Sequence, residues 1–397
     1  MHVLIPEIVL TGHHAVYLDR IVEAALTVAD KVTIAVRTPD ASSSLVAKLQ
    51  EQYKNRLEVF GLDLEMEPSR IRLVGTLVRE WRCYIWLKRA FAIVDARQKV
   101  DFVFVPYADY CPHAIGLMGS PFSDRPWGGI SMRASFHWHK TGIGPKPSLA
   151  AVREMLFRLF LANAELLRLF VIDEMLVSYL RGSAGKLRYL RDPAELQIHQ
   201  DRLAARTALG VPLESKVVLV YGAISSRKGV DALLDCFSNE NAPRNFHLLV
   251  VGKQDPRDPL RERLRTLELK DQAGITVIDK YVDDFQEQLV FSATDAVWLG
   301  YREHYAMSGV LVLAAKARRP VLGTAKGLIG YYIKKNRLGR AFDVDNSAEV
   351  RSALDWLSAG TEEKFGFEGM EGHTWGNFRE AIAALLKEKF NGSTWSP

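Results

Sequence analysis

The segment Tyr221-Gly222-Ala223-Ile224-Ser225-Ser226-Arg227-Lys228-Gly229 places two glycines, two serines and two cations between an apolar run and an amphipathic one. Where a strand turns into a helix, free backbone amides and nearby cations attract a phosphate. The same composition also suits a plain solvated turn, and Lys228 followed by Gly229 is not a Walker motif. A second anion-suited place is Met307-Ser308-Gly309-Val310, with Ser308 as a natural N-cap and Gly309 open to close backbone approach. A third glycine turn, Thr11-Gly12-His13-His14, lacks the G-x-G-x-x-G spacing of dinucleotide binders.

Other side chains could handle protons or hydroxyls. His137 and His139 follow the strand-like run Gly129–Phe136, and on an extended chain two residues apart they would share a face. A histidine titrates near neutral pH, so His137 is a candidate to take a hydroxyl proton, with a structural role as the alternative. Asp109, shortly after the run ending at Val105, could bind a hydroxyl, though an aspartate there more often caps a helix. No carboxylate pair or His/Cys cluster has metal-site spacing, so no metal or other cofactor is expected. Cys83, Cys111 and Cys236 are far apart and unpaired in number, which fits a reducing compartment.

These residues need a scaffold. In the second half, apolar runs at Val217–Tyr221, Phe246–Val251, Ile275–Ile278, Ala296–Leu299 and Pro320–Gly323 alternate with helix-like segments. Continuous Val/Leu/Ile runs mark strands covered on both faces, hence a parallel sheet between helix layers. The first half opens the same way, with Val3–Ile5, Val32–Val36 and Phe102–Val105. Two α/β Rossmann-like domains are expected, 1–190 and 191–372, facing across a cleft, with a terminal helix in 373–397 that could return to the first domain. The 397 residues, 48% hydrophobic and 25% charged, suit two cores. Residues 1–190 hold 24 Lys+Arg against 19 Asp+Glu and residues 191–397 hold 28 of each, so the excess positive charge lies in the first half. An apolar start interrupted by Glu7, without a basic leader, argues against a signal peptide, and no run is long enough to span a bilayer, so a cytoplasmic location is expected.

From Val217 to Leu357 the sequence resembles the donor-binding domain of GT-B glycosyltransferases, especially the large retaining family that uses nucleotide-diphosphate sugars. Its phosphate turn, G-R-L-x-x-x-K-G, is similar to Gly222 through Gly229. Asp295-Ala296-Val297-Trp298-Leu299 matches a family strand, and Ser308-Gly309 through Pro320-Val321 to Gly327 follows the family order. Two departures stand out: Ala223 occupies the arginine position, and Ala306 and Ala314 replace the E-x7-E glutamates. The resemblance implies a metal-independent glycosyltransferase that takes a hexose-like unit from a nucleotide-sugar donor. Lys228, Arg227 and the Ser308-Gly309 amides would neutralise the leaving diphosphate. Gly222, Ala223, Ser226, Tyr281, Val282 and Val310 would line the donor site, with Glu303 as a substitute carboxylate. Gly12, His13, Asp109 and His139 would lie on the acceptor side. A GT-B nucleotide-sugar epimerase and a noncatalytic sugar-nucleotide-binding subunit are the rival readings.

Between Ser69 and Lys99, eight Lys+Arg face only two acids, Glu80 and Asp95. At 100° per residue Arg72, Arg79, Arg82, Trp86 and Arg89 fall in one sector, with Leu77, Val78, Trp81, Tyr84 and Ile85 opposite. This predicts a core-bound apolar face and a cationic face carrying Trp86, suited to an anionic membrane surface or to an anionic substrate. Nucleic acid is not expected as a partner, because no reader motif accompanies the charge. Related bacterial enzymes often act on polyprenyl-linked acceptors in surface polysaccharide assembly, so the resemblance implies a saccharide or polyprenyl-linked acceptor and a peripheral place at the inner face of a membrane.

Overall fold

The computed structural model describes residues 1–63, 72–182, 185–238, 245–268, 274–360 and 364–391. The chain forms two units, one of residues 1–141, 145–191 and 375–397, the other of 142–144 and 192–374. The connection therefore falls at Arg191–Asp192.

Unit 1 runs β1 (His2–Pro6), α1 (His13–Leu26), β2 (Lys31–Val36), α2 (Ser44–Tyr53), β3 (Leu57–Gly61), α3 (Arg72–Arg97), β4 (Phe102–Val105), α4 (Pro112–Met118), β5 (Trp127–Ser131), α5 (Trp138–Thr141), α6 (Ala150–Ala162), β6 (Leu166–Val171), α7 (Glu174–Tyr179) and β7 (Leu187–Tyr189). Its sheet has the order β3-β2-β1-β4-β5-β6-β7 with every pair parallel. Most strand residues are buried on both faces, as continuous apolar runs require. One face packs against α3, α4 and α6 through Leu87, Val94, Ile115, Phe157 and Phe160. The other packs against α1 and α2.

Unit 2 continues with α8 (Arg202–Leu209), β8 (Lys216–Tyr221), α9 (Val230–Ser238), β9 (Phe246–Val251), α10 (Pro259–Glu268), β10 (Ile275–Ile278), α11 (Asp284–Ala293), β11 (Ala296–Leu299), α12 (Gly309–Lys316), β12 (Val321–Thr324), α13 (Gly327–Lys335), β13 (Gly339–Phe342) and α14 (Ser347–Ser358). Its order is β10-β9-β8-β11-β12-β13, again parallel throughout. In each sheet the order reverses at the first strand, between β1 and β4 and between β8 and β11. Open α/β sheets bind ligands at the carboxyl ends of such switch points.

The last helix, α15 (Trp375–Asn391), belongs to unit 1. Its Phe378, Ile382, Leu385 and Leu386 join the core of α1, each such burial contributing roughly 1.5–3 kcal/mol. Gly128 in β5 leaves the space that Leu385 fills, since a Cβ there would lie 2.7 Å from Leu385 Cδ2.

Two expectations about elements need correction. The strand read as Gly129–Phe136 is Trp127–Ser131. The Asp109 carboxylate accepts the Met132 and Arg133 amides at 2.6 and 3.2 Å and so turns the chain out of the sheet. In α3 the buried apolar residues are Cys83, Tyr84, Trp86, Leu87, Ala90, Phe91 and Val94, so Tyr84 of the expected face is buried. Trp86 is 2% exposed and donates its indole N–H to the Leu62 carbonyl, whereas Leu77 and Trp81 are 58% and 52% exposed. The core face is thus rotated from the predicted one toward Cys83, Trp86 and Ala90, where the small Cys83 and Ala90 side chains permit close packing on the sheet. The side chain of Arg72 and all of Ser69 lie outside the described residues.

Candidate functional site

The phosphate-suited turn of unit 2 is built by backbone proximity. Gly222, at φ +96°, donates its amide to the Val251 carbonyl at 3.0 Å. Gly252, at φ +136°, lies so close that a Cβ on it would sit 1.9 Å from the Gly222 oxygen. Only glycine tolerates both the left-handed conformation and this approach.

Under that turn lies Lys228, 5% exposed. Its Nζ donates to the Tyr221 carbonyl at 2.6 Å and the Tyr301 hydroxyl at 2.7 Å, and stands 4.5 Å from the Tyr301 ring centroid. The Trp298 indole N–H fixes the Lys228 carbonyl at 2.9 Å. Among the described residues Lys228 forms no ion pair. An ammonium has three N–H donors, and both partners here are neutral oxygens, so the charge is desolvated without a counter-ion. A Cβ placed on Gly222 would lie 3.5 Å from this Nζ, so the ammonium lies within reach of the turn's surface.

The loop after β11 lies against the same turn. The Arg302 amide donates to the Arg227 carbonyl at 2.8 Å, while its guanidinium pairs with Asp231 and Asp345. His304 is half-buried, and burial first, then the Arg227 charge, lowers its pKa. The loop ends at Ser308, which holds the N-cap position of α12, yet its hydroxyl makes no capping hydrogen bond. The Leu311 amide turns back on the Ser308 carbonyl at 2.9 Å; with no acid in the first turn and open space beside Gly309, the Gly309 and Val310 amides stay free. Val310 follows, half-buried.

Other expected donor-site residues are placed differently. Ser226 is committed to a carboxylate: its amide donates to Asp258 Oδ2 at 2.7 Å and its hydroxyl donates to Asp258 Oδ1. Burial opposes ionisation of Asp258, but these bonds and the Leu260 amide lower its pKa on balance. Arg227, Ala223 and Glu303 are exposed, Glu303 at φ +50°. Tyr281 follows β10 and is 82% exposed, while Val282 is half-buried. Asp258 also lines a hollow of about 500 Å³ with Gln254, Arg261 and Asp279, where the buried Gln254 Oε1 has no partner.

In unit 1 the expected residues are mostly engaged with each other. His137 is fully buried, its Nε2 2.9 Å from Asp173 Oδ2, and Asp173 caps α7 through the Met175 and Leu176 amides. The Nε2 of the expected catalytic His137 is thus engaged and shielded from solvent, while its Nδ1 has no partner. His139 lies in the helical turn α5, where residues two apart point away from each other, so the two histidines share no face. Asp109 accepts from the Ser131 hydroxyl and the Met132 and Arg133 amides, and burial raises its pKa. It is neither free for a hydroxyl nor a cap of α4. Gly12, at φ +61°, leads into α1 without a side-chain cap. Beside it His13, its pKa lowered by burial and then by His14 and Arg133, packs its ring on His14.

Sequence reading missed Tyr301 and His304, although their place after the Asp295–Leu299 strand was a usable signal. It also missed Glu7, His14 and Tyr110, which meet at the carboxyl end of β1: the Tyr110 hydroxyl donates to Glu7 Oε1, and His14 Nδ1 lies 3.6 Å from it. Among the described residues no group of three His, Cys, Asp or Glu could hold a metal ion, and no helix is long and apolar enough to cross a membrane.

Two parallel-sheet α/β units, each with its switch point at the first strand, define the GT-B architecture. Residues 201–365 match the family model described as glycosyl transferases group 1, which supports glycosyl transfer as the chemistry. Among solved structures the chain is similar to a sucrose-phosphate synthase from Thermosynechococcus elongatus, at 18% identity and TM-score 0.69 over 99% of this chain and 100% of that one. It is also similar to HepE of Anabaena in complex with UDP, at 15% identity and TM-score 0.65 over 98% and 100%. A third likeness is UDP-GlcNAc 2-epimerase from Methanocaldococcus jannaschii, at 13% identity and TM-score 0.59 over 98% and 99%. HepE is also known in complex with UDP-glucose. No curated protein matches the sequence.

Proposed function

We propose that the protein transfers a hexose-like unit from a nucleotide-diphosphate sugar to a saccharide or lipid-linked acceptor, as in surface glycoconjugate synthesis at the cytoplasmic face of a membrane. Unit 2 holds the donor and unit 1 recognises the acceptor. The observation that carries this reading is the buried Lys228 ammonium, which has only neutral partners under the Gly222 turn. A diphosphate supplies the missing charge, and the Gly309 and Val310 amides at the start of α12, with Arg227, add donors for its oxygens.

During transfer the bond from the anomeric carbon to the diphosphate oxygen breaks, and the diphosphate leaves with the electron pair. The acceptor oxygen bonds to that carbon and gives up its proton to the leaving diphosphate oxygen. A fixed ammonium and oriented amides stabilise the growing negative charge without reorganising. The nucleotide complexes of HepE and the group 1 match over unit 2 support a nucleotide-sugar donor.

Titration calorimetry with UDP, GDP, ADP and TDP tests the donor site: at least one should bind, and silence from all four overturns the reading. Incubating the bound nucleotide's sugar with and without acceptor lipids then separates transfer from epimerisation. The epimerase among the similar structures shares the fold and warrants that control.

A further inference from the structure

In unit 1 the chain that leaves β5 meets the start of α4 and the side of α6 around a hollow of about 130 Å³. Part of its wall is apolar: Phe136 and Phe157 are buried with ring centroids 5.2 Å apart, and Pro112 stands beside them. Two acids, Glu80 and Asp109, and two cations, Arg133 and Arg153, line it as well. The acids are already engaged. Glu80 accepts from the His113 amide at 3.1 Å and lies 2.7 Å from the His113 Nδ1, while Asp109 accepts from the Ser131 hydroxyl and from the Met132 and Arg133 amides.

The guanidiniums are not. Arg133 is exposed and Arg153 half-buried, and among the described residues neither forms an ion pair, whereas Arg158 on the same helix as Arg153 pairs with Glu154. The Arg133 guanidinium carbon stands 5.6 Å from the Tyr107 ring centroid, and His14 packs on the same ring at 4.6 Å. Arg133 therefore links the hollow to the carboxyl end of β1, the switch point where an open α/β sheet holds its ligands. Two open guanidiniums beside an aromatic wall fit a small ring that presents C–H groups on one side and an anionic group on the other.

We infer that this hollow seats an acidic sugar residue of the acceptor, a uronate or a sugar phosphate, with its anionic group held by Arg133 and Arg153 and its ring against Phe136 and Phe157. The chemistry common to both sugars is a planar set of oxygens that accepts from a guanidinium fork. The inference rests on the proposed function in giving acceptor recognition to unit 1. It narrows that acceptor from any saccharide to an anionic one.

The experiment is a ligand-observed NMR titration of the full chain, without nucleotide, using glucose and galactose, their uronates, their 6-phosphates and inorganic phosphate. At least one uronate or sugar phosphate should bind roughly tenfold or more tightly than its neutral parent, and which kind does so identifies the anionic group. Arg133→Gln and Arg153→Gln should each remove most of that advantage, and Arg153→Lys, which keeps the charge but not the fork, should restore part of it. Thermal midpoints and nucleotide affinity of these variants should match the parent. Equal binding of neutral and acidic sugars, no binding of any acidic sugar, or variants that bind like the parent overturns the inference. So does inorganic phosphate that binds as tightly as the sugar phosphates, because the ring would then have no place in the site. Nucleotide binding without acidic-sugar binding defeats this inference alone, whereas acidic-sugar binding with silence from every nucleotide defeats the donor site alone.

Discussion

Histidines in the two units keep different company. In unit 1, His137 faces Asp173, His113 faces Glu80 and His14 faces Glu7. In unit 2, His247 is hydrogen-bonded to the Thr276 hydroxyl with Arg206 as its charged neighbour, and His304 lies beside Arg227 and Lys228. These three histidines of unit 1 thus meet acids, although His2 bonds the Thr33 hydroxyl and His137 Nδ1 has no partner, whereas His247, His304 and Lys228 of unit 2 form no ion pair among the described residues. Buried polar groups that satisfy each other serve the fold, and an uncompensated buried cation is unfavourable until an anion arrives. The contrast explains why the donor site is assigned to unit 2 although unit 1 is richer in histidine and carboxylate at its strand ends.

The largest effect should come from breaking a closed pair. Asp173→Ala removes the cap of α7 and leaves His137 Nε2 buried without a partner. Together these should cost about 2–4 kcal/mol. A calorimetric scan should show the unit 1 transition lowered by several degrees while nucleotide affinity of the folded protein is unchanged. A loss of nucleotide binding at unchanged stability would instead give this pair a functional role.

Acid should act through the opposite kind of group in unit 2. Burial, then the Arg206 charge, lowers the His247 pKa to about 4 from an ordinary 6.5. The unfolded chain therefore takes up a proton that the native one refuses, so stability is complete above pH 6.5 and declines as pH falls toward 4. Over that window the decline is on the order of 3 kcal/mol. Urea midpoints measured across pH 4–7 should show this slope in the parent, and it should flatten in His247→Asn. Equal slopes would remove His247 from the comparison.

Lys228→Met tests the central claim. It keeps the stem and deletes a buried charge that no acid balances. The free protein should be as stable as the parent or more so, while diphosphate affinity falls roughly tenfold or more, as expected for a charge-assisted contact of about 1.5–3 kcal/mol. Stability lost together with unchanged affinity would make Lys228 a structural residue.

Much of this architecture could be read from the chain alone, and the failures have physical causes. Phe102–Val105, Phe246–Val251, Ile275–Ile278 and Ala296–Leu299 were predicted with the bounds observed, because a strand buried on both faces writes itself as an unbroken apolar run. Leu187–Tyr189 and Gly339–Phe342, at the sheet edges, are short and carry Arg188 and Arg340, so they give no such signal. At the site, types and spacing located the Gly222–Gly229 turn and Lys228, but not which polar groups were already engaged. That depends on partners far along the sequence: Asp258 for Ser226, Asp173 for His137, and Ser131 for Asp109.

Ser226 sets the smallest effect and the finest discrimination. As a phosphate ligand its hydroxyl would be worth a tenfold or greater loss of nucleotide affinity on removal. Here the hydroxyl donates to Asp258, a carboxylate that also accepts the Ser226 and Leu260 amides. Ser226→Ala removes one of those bonds and leaves the amide donors in place. The loss should be about 0.5–1.5 kcal/mol of stability, with less than a threefold change in nucleotide affinity. A tenfold affinity loss would mean that the serine leaves Asp258 for the ligand, and the line between groups closed for folding and groups open for binding would have to run through the turn itself.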